Sequence, residues 1–324
     1  MVTGGTGIVG SYVVRELVRC GHRPVVVDLA PPAGSHDQLA GTADYYAADI
    51  RELSVMLELC QTHGVSTIFH LAALTGRASY HQPMVPFRVN LEGTMNVFEA
   101  ARLTGVRRLV MASSRNVYRS FEGTPHGPPS YLPVPEEYPP DPQAPYEVMK
   151  FTAERMGMFY RSRFGLEFAA FRFATYYAAE RIVAANDRSG ALIEKMHTLM
   201  LNSLRGRPTT YAAGSERKVD CVYVGDLARA FVLAGEAPSL PSAVYNVGSG
   251  QAKTIADLVH VLRLAVPGTR IDIGAGHDFG EGASPGRTGV LDIRRACRDL
   301  GYRPHWTFQD GVLECLERAR GLMV

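Results

Sequence analysis

The chain has 324 residues, 46% of them hydrophobic and 20% charged, enough for a sizeable core in one large α/β unit or two interlocked domains. Its formal net charge is +2 without a basic block, so nothing indicates a nucleic-acid partner. It contains no run of eighteen apolar residues and no signal-peptide pattern, so we expect neither a membrane span nor export.

The first predicted elements are a strand in MVT and a helix over residues 8–20, joined by the glycine-rich turn TGGTGIVG (3–10). MVT leaves room for only a very short strand, unless the natural chain begins further upstream. Gly4, Gly7 and Gly10 allow the backbone to turn sharply and approach a pyrophosphate, while the helix N-terminus supplies N–H donors. The turn therefore predicts a dinucleotide site, although a glycine triplet alone is weak evidence.

The next predicted strand, VVV (25–27), is followed by Asp28, twenty-four residues after Gly4. In a dinucleotide-binding fold, a carboxylate at this distance holds the adenosine ribose. A carboxylate there repels a 2′-phosphate, so we predict NAD rather than NADP as the cofactor. The alternative is that Asp28 is a simple turn residue at the strand end.

Short β-branched runs alternate with longer amphipathic stretches in the first half, which predicts an α/β fold with a doubly wound parallel (Rossmann) sheet. Further strands are predicted at 66–70, 107–113 and 167–174, and further helices at 51–62, 86–104 and 145–164. The second half has predicted helices at 189–205, 225–236, 254–265 and 309–320, and short strands at 220–224 and 243–247. We expect an NAD-binding domain over residues 1–174 and a smaller α/β substrate-binding domain over 175–324, partly interwoven with the first.

A stretch rich in proline and glycine occupies residues 119–145. It is too long for a plain connection between two elements. We interpret it either as a functional loop that can close over a ligand or as a mobile segment.

The motif PYEVMK (145–150) places Tyr146 and Lys150 four residues apart, on one face of a predicted helix. A phenol needs a neighbouring cation to act as an acid or base near neutral pH, and a lysine ammonium is a compact charge that lowers its pKa. Only four lysines occur in this arginine-rich chain, which makes Lys150 informative. Ser113 or Ser114, at the carboxyl end of the preceding strand, lies where ligands bind in open α/β sheets.

Together these motifs resemble the extended short-chain dehydrogenases/reductases, in the NAD-dependent epimerase/dehydratase group. The resemblance extends over nearly the whole chain. It depends on TGGTGIVG, Asp28, AADI around Asp49, HLAAL (70–74), VNLEGTMNVFEAAR (89–102), SSRNVY (113–118), YEVMK and YNVGSG (245–250).

By position, the resemblance implies Ser114 as the catalytic hydroxyl, Tyr146 as the acid/base and Lys150 as its electrostatic partner. The implied chemistry is hydride transfer between C4 of the nicotinamide and a carbinol carbon, with Tyr146 moving the hydroxyl proton. Asn90 would stabilise the central helix and reach towards the site. The implied cofactor-binding residues are Gly4, Gly7, Ile8, Val9, Gly10, Asp28, Asp49, Ile50, Leu71, Ala72, Ala73, Asn90, Tyr146, Lys150 and Phe173.

The sequence departs from two patterns of this group. Dehydratases carry T-D-E-V-Y where this chain has Ser114, Arg115, Asn116, Val117 and Tyr118. Since neither Arg115 nor Asn116 can serve as a carboxylate base, a sugar-nucleotide dehydratase is disfavoured.

Nucleotide-sugar epimerases of the group usually have an arginine at the place of Val219, a second arginine in the segment that here reads SPGR (284–287), and an asparagine at the place of Thr175. Because three diphosphate-binding positions are changed together, the simplest inference is a substrate without a nucleoside diphosphate. Arg217, Lys218 and Arg287 lie nearby in the sequence as possible substitutes.

Arg115, beside the catalytic serine, is a candidate for a bidentate contact with a carboxylate or phosphate on a smaller substrate. Alternatively, it points out of the cleft or holds the 119–145 loop. Arg77 and Arg181 are further candidates, although most arginines are solvated, and His70 is expected to be a packed core histidine. The predicted substrate-binding residues are Arg77, Ser113, Arg115, Asn116, Thr175 and Tyr176.

We therefore predict an NAD-dependent oxidoreductase acting on a secondary alcohol of a sugar, sugar acid or similar small polar substrate, which can be anionic. The alternatives are a nucleotide-sugar 4-epimerase and a non-catalytic NAD-binding sensor. By resemblance we expect a homodimer formed through the helices at 86–104 and 145–164. Five scattered cysteines, with no CxxC or Cys/His cluster, indicate a reducing cytoplasm and no metal site.

Overall fold

The structure is a computed structural model that describes residues 1–30, 41–75, 82–185, 192–277 and 288–323. The strands in these ranges are β1 Val2–Thr3, β2 Val25–Asp28, β3 Asp44–Ala47, β4 Thr67–His70, β5 Arg108–Ala112, β6 Glu167–Phe173, β7 Thr175–Tyr177, β8 Thr209–Tyr211, β9 Lys218–Tyr223, β10 Val244–Val247, β11 Ala252–Thr254 and β12 Ile271–Ile273. The helices are α1 Ile8–Arg19, α2 Leu53–Thr62, α3 Met84–Phe87, α4 Thr94–Thr104, α5 Pro145–Phe164, α6 Ala179–Val183, α7 Leu192–Leu204, α8 Val224–Glu236, α9 Ile255–Ala265, α10 Arg294–Leu300 and α11 Phe308–Met323.

The central sheet has seven strands in the order β10-β6-β5-β4-β1-β2-β3, and all its neighbouring strands run parallel. The predicted doubly wound parallel sheet is therefore confirmed. Because the strands are parallel, their carboxyl ends lie along one edge, where open α/β folds bind ligands.

Both faces of this sheet are covered. Helices α1 and α8 pack together on one face, and α2, α4 and α5 pack on the other. Successive strand residues therefore enter opposite cores: Val26, Phe69 and Val110 on the first side, and Val27, Ile68 and Leu109 on the second. Burial on both faces is why these strands read as continuous apolar runs rather than as alternating ones.

The second half of the chain adds a three-stranded sheet, β11-β9-β7, and a two-stranded parallel pair, β12-β8. It also supplies β10, which pairs with β6 at the edge of the central sheet. Both halves thus contribute to one sheet, and the predicted division at residue 174 stays a prediction. Within the described ranges, no helix combines the length and apolar character needed to cross a bilayer.

The proline- and glycine-rich loop is packed against β10 and the segment that follows residue 287. Phe121 and Val134 are buried in the core, and Val134 pairs with Leu291. Asn246 of β10 holds the chain just before the loop and near its middle, because it accepts a hydrogen bond from the Tyr118 hydroxyl (2.7 Å) and donates one to the Val134 carbonyl (2.9 Å). The loop is therefore part of the folded body.

Candidate active site

The glycine turn between β1 and α1 forms a cradle that excludes side chains. Gly4 has φ +71°, and a Cβ there would lie 2.5 Å from the backbone nitrogen of Ala72. A Cβ on Gly10 would lie 2.0 Å from the Gly4 carbonyl oxygen. The turn then leads into the N-terminus of α1 at Ile8 and Val9. The first N–H groups of this helix have no side-chain cap. This arrangement fits the pyrophosphate of a dinucleotide.

Asp28 closes one side of this cradle at the carboxyl end of β2. Its carboxylate accepts hydrogen bonds from the backbone N–H groups of Thr6 (3.0 Å) and Leu29 (2.8 Å). The side chain is therefore fixed beside the glycine turn and remains half-exposed. This is the position expected for a ribose-binding carboxylate.

The loop after β4 forms another wall of the cradle, because Ala72 contacts Gly4. Asn90, buried in a π-helical turn at Arg88–Gly93, holds this loop from behind. Its side chain donates to the Leu74 carbonyl (2.8 Å) and accepts from the Leu74 N–H (2.7 Å). Asn90 thus fixes the half-buried residues Leu71, Ala72 and Ala73 rather than presenting its own amide to the cradle.

Asp49 and Ile50 follow β3 and differ in environment. The Asp49 carboxylate binds the Arg51 guanidinium, which holds the pKa of that carboxyl below its usual value. Ile50 is buried, and a Cβ on Gly93 would lie 2.7 Å from its side chain. The structure therefore places Ile50 in the core beneath the predicted adenine site, with Asp49 at its rim.

Tyr146 and Lys150 lie on the first turns of α5, as their spacing predicts. The Lys150 Nζ is buried, donates to the Ala112 carbonyl (2.8 Å) and lies 5.9 Å from the centre of the Tyr146 ring. Burial lowers the pKa of Lys150 to about 8, so its ammonium form predominates below that pH. Burial raises the pKa of the half-buried Tyr146 phenol above its usual value, so the free enzyme holds it protonated.

The two serines after β5 have different roles. The Ser114 Oγ accepts a hydrogen bond from the Asn116 N–H (3.1 Å), which leaves its own proton available for a substrate oxygen. Ser113 is fully buried, and its hydroxyl donates to the Glu154 carboxylate. Ser113 was predicted to bind substrate, but the structure gives its hydroxyl a partner in the core instead.

Glu154 is a buried residue of the site region that the sequence reading missed. It binds the Arg172 guanidinium through three contacts, among them Nε to Oε1 at 2.9 Å, and both side chains are buried. Tyr146, Lys150 and Glu154 follow one another at four-residue steps, so they share one face of α5. Extending the spacing by one more turn would have identified Glu154.

Arg115 faces the second half of the chain. Its positive charge favours the ionised form of the fully buried carboxyl of Asp220, although burial raises the pKa of that group overall. Asp220 also accepts hydrogen bonds from Ser249 and Leu291. The Asp220 carboxyl thus lies near Arg115 within the protein itself, which weakens the assignment of Arg115 to a substrate anion. Arg77 lies outside the described residues.

The carboxyl end of β6 and strand β7 bring an aromatic pair to the cleft. The rings of Phe173 and Tyr176 lie edge to face, 6.1 Å apart, and Thr175 between them is half-buried at the start of β7. The Tyr176 hydroxyl accepts a hydrogen bond from Arg181 (2.8 Å). Tyr176 and Arg181 both influence the pKa of Tyr146, so these side chains surround the predicted acid/base.

His70 lies at the end of β4 and is fully buried. Its two ring nitrogens pair with the hydroxyls of Thr3 (2.7 Å) and Thr94 (2.9 Å). Burial lowers the pKa of His70 to about 3, so the ring is neutral. His70 is the packed core histidine that the sequence predicts.

Comparison with known proteins adds to this geometry. A family model described as the NAD dependent epimerase/dehydratase family matches residues 1–248. A UDP-glucose 4-epimerase of Mycolicibacterium smegmatis is 30% identical over 327 residues, which cover 98% of this chain and 97% of that protein. The UDP-glucose 4-epimerase of Thermotoga maritima, solved with UDP-glucose, is 25% identical with a TM-score of 0.81 and covers 100% of this chain and 99% of its own. MoeE5, solved with UDP-glucuronic acid and NAD, is 28% identical with a TM-score of 0.77 and covers 98% of each chain.

Proposed function

The chain belongs to the NAD dependent epimerase/dehydratase family, and on that premise we propose that it is an NAD-dependent 4-epimerase of a nucleotide-linked sugar. The observation that carries the proposal is the intact set of Ser114, Tyr146 and Lys150 in a chain similar over its whole length to UDP-glucose 4-epimerases. The sequence alone favoured a dehydrogenase of a smaller substrate and kept the epimerase as an alternative. The relatives support that alternative better.

NAD supplies, when bound, a nicotinamide carbon that accepts a hydride from a carbinol carbon and returns it. Gly4, Gly7 and Gly10 would hold the pyrophosphate, and Asp28 the ribose. Tyr146 would act from its ionised form, taking the proton of the substrate hydroxyl and later giving it back, while Ser114 would donate a hydrogen bond to the same oxygen. Lys150, fixed by the Ala112 carbonyl, would favour this ionised form of Tyr146 over the protonated form that the free protein holds.

The diphosphate is the point on which sequence and relatives disagree. Val219 is buried in β9 and offers no charge. Arg217, two residues earlier, is half-buried and donates to the Thr288 hydroxyl (3.1 Å) and the His277 carbonyl (3.2 Å). We therefore propose Arg217 as the cation that serves the diphosphate in place of Val219. The segment 284–287 lies outside the described residues.

The test is incubation of the purified protein and NAD with UDP-glucose, UDP-galactose and the two matching UDP-uronic acids. The proton NMR spectrum should show interconversion of a C4 epimer pair while the absorbance of reduced nicotinamide stays flat. Net accumulation of reduced cofactor with a free sugar or hydroxy acid would instead establish the dehydrogenase. The matched control is the same reaction with the Tyr146→Phe variant.

A homodimer is the second part of the proposal. Large apolar side chains are exposed on α3, α4 and α5, and they include Val85, Phe87, Leu103, Val148 and Phe159. An apolar surface of this kind on a monomer marks an association site. Phe159, which is 50% exposed on α5, is well placed to be covered by a second copy.

Light scattering should give twice the chain mass of 35.4 kDa. Phe159→Glu should convert the protein to monomers, because a charge cannot be buried unpaired in an apolar interface. The matched control is Leu264→Glu, which changes a leucine on α9 that is also largely exposed, at 62%, outside the proposed interface. A wild-type protein that runs as a monomer would contradict the dimer.

A further inference from the structure

Arg181 is a half-buried arginine in the cleft that pairs with no carboxylate in the part of the chain that the structure describes. Its Nη2 donates to the Tyr176 hydroxyl (2.8 Å), and its guanidinium carbon lies 4.5 Å from the centre of the Tyr176 ring. Its Nε is buried and has no hydrogen-bond partner among the described residues. The stacking and the single hydrogen bond fix the plane of the guanidinium and leave its buried Nε–H without a partner among the described residues.

Arg181 lies on the side of the cleft formed by the carboxyl end of β6, because its partner Tyr176 packs edge to face on Phe173. The charge of Arg181 favours the ionised form of Tyr146, and Tyr176 opposes it. Such effects require proximity, because charge interactions decline with distance. A ligand group at Arg181 is therefore close to the substrate carbon whose hydroxyl Tyr146 serves.

His197 is a second unpartnered group, on a helix that packs against α6, which carries Arg181. It is fully buried on α7, and neither ring nitrogen has a hydrogen-bond partner among the described residues. Burial lowers the pKa of His197 to about 3, and the charge of Arg181 makes a smaller contribution in the same direction. The ring is therefore neutral, with one N–H donor. Buried polar groups in proteins nearly always have a partner, and leaving one without costs stability.

The chemistry of these donors selects a ligand. In a guanidinium, Nε–H and one N–H of Nη2 point the same way, and this edge binds the two oxygens of a carboxylate. The other arginine considered for an anion, Arg115, has the Asp220 carboxyl nearby. Among the described residues, Arg181 is therefore a cation of the cleft without a carboxylate partner, and its Nε edge has the geometry that a carboxylate fits.

We propose that Arg181, assisted by the N–H of His197, binds a carboxylate carried on the sugar ring, so that the substrate is a nucleotide-linked uronic acid. This inference rests on the proposed function, since it assigns the substrate class of the same site. It also gives Tyr176 a role, because its ring and hydroxyl hold the guanidinium in place.

The test measures binding apart from turnover. Tyr146→Phe, which keeps the ring but cannot move the proton, serves as the background, and titration calorimetry with NAD present measures the affinity for UDP-glucuronic acid and UDP-glucose. Adding Arg181→Gln should lower the affinity for UDP-glucuronic acid by about 10–100-fold, because charge-assisted hydrogen bonds are lost. The affinity for UDP-glucose should fall by about threefold or less. Arg181→Lys keeps the charge but loses the planar edge, so it should lower the affinity for UDP-glucuronic acid by about tenfold. This variant also serves as a second test in case the glutamine variant does not fold.

The control is Arg320→Gln, which removes an exposed arginine on α11 and should leave both affinities unchanged. Equal losses of affinity for both ligands would mean that Arg181 only holds Tyr176 in place, and would overturn the carboxylate site. A Tyr146→Phe background that binds UDP-glucose more tightly than UDP-glucuronic acid would overturn it too. If the selective loss appears but the wild type epimerises neither sugar, the proposed function fails and the carboxylate site stands.

Discussion

Tyr146→Phe is expected to lower kcat by about 10³-fold while the affinity for NAD stays within about twofold. The phenol is the group that we propose to move the substrate proton, and Lys150 lies 5.9 Å from the centre of its ring. Phenylalanine keeps the ring and its packing, so the loss falls on the chemical step. Titration calorimetry measures the affinity for NAD, and the NMR assay measures kcat.

The matched control is Tyr160→Phe on the same helix. Tyr160 lies fourteen residues further along α5, where its hydroxyl bonds to Glu99, away from the cleft. Removing this hydroxyl should change kcat by about twofold or less, as for substitutions remote from a site. If Tyr146→Phe lowered kcat no more than Tyr160→Phe does, another group would have to move the proton.

Arg172→Met should lower the free energy of unfolding by about 3–5 kcal/mol, because it leaves the buried carboxylate of Glu154 without its counter-charge. Arg172 and Glu154 are both buried, and three nitrogen–oxygen contacts join them. Glu154 also accepts the hydrogen bond of Ser113, next to Ser114, the predicted catalytic hydroxyl. Urea unfolding of the NAD-free protein measures the change.

Two further variants make the result interpretable. Replacing both members, Arg172→Met with Glu154→Leu, should recover much of the loss, since no buried charge is then left unpaired. Arg19→Met breaks an exposed pair with Glu16 and should cost about 1 kcal/mol or less. A loss of similar size for Arg172→Met and Arg19→Met would mean that water reaches Glu154 once Arg172 is gone.

Helices were the elements best predicted from the sequence. The helix at 145–164 has its predicted ends, because Pro145 opens it and Gly165 ends it in the left-handed conformation. The helix at 86–104 was also predicted, but not its π-helical turn at Arg88–Gly93. The spacing of apolar residues does not reveal that one turn of a helix contains an extra residue. This π-helical turn places Asn90 against the loop after β4.

Short strands were harder to predict. Strand β3, DYYA, was missed because two partly exposed tyrosines resemble neither an apolar run nor an alternating one. Strands β8 and β12 have three residues each and gain their hydrogen bonds only by pairing with each other. Helix α10, RRACRDL, lacks an apolar repeat, so packing rather than pattern forms it.

The site was predictable where motif and spacing act locally, and less so where side chains meet from distant segments. The positions of Gly4, Asp28, Tyr146 and Lys150 follow from local order along the chain. The burial of Ser113 depends on Glu154, forty-one residues away. Likewise, no pattern in the sequence brings Arg115 near Asp220, or Arg181 near His197.

The contribution of β10 to the central sheet has a consequence for synthesis on the ribosome. Residues 1–174 emerge first and can form six neighbouring strands, but β6 remains an open edge until Val244–Val247 have also emerged. An exposed edge strand with apolar faces is a template for pairing with other chains. Until then, that edge is open to wrong partners, and we expect rapid completion of the chain or binding by chaperones to protect it.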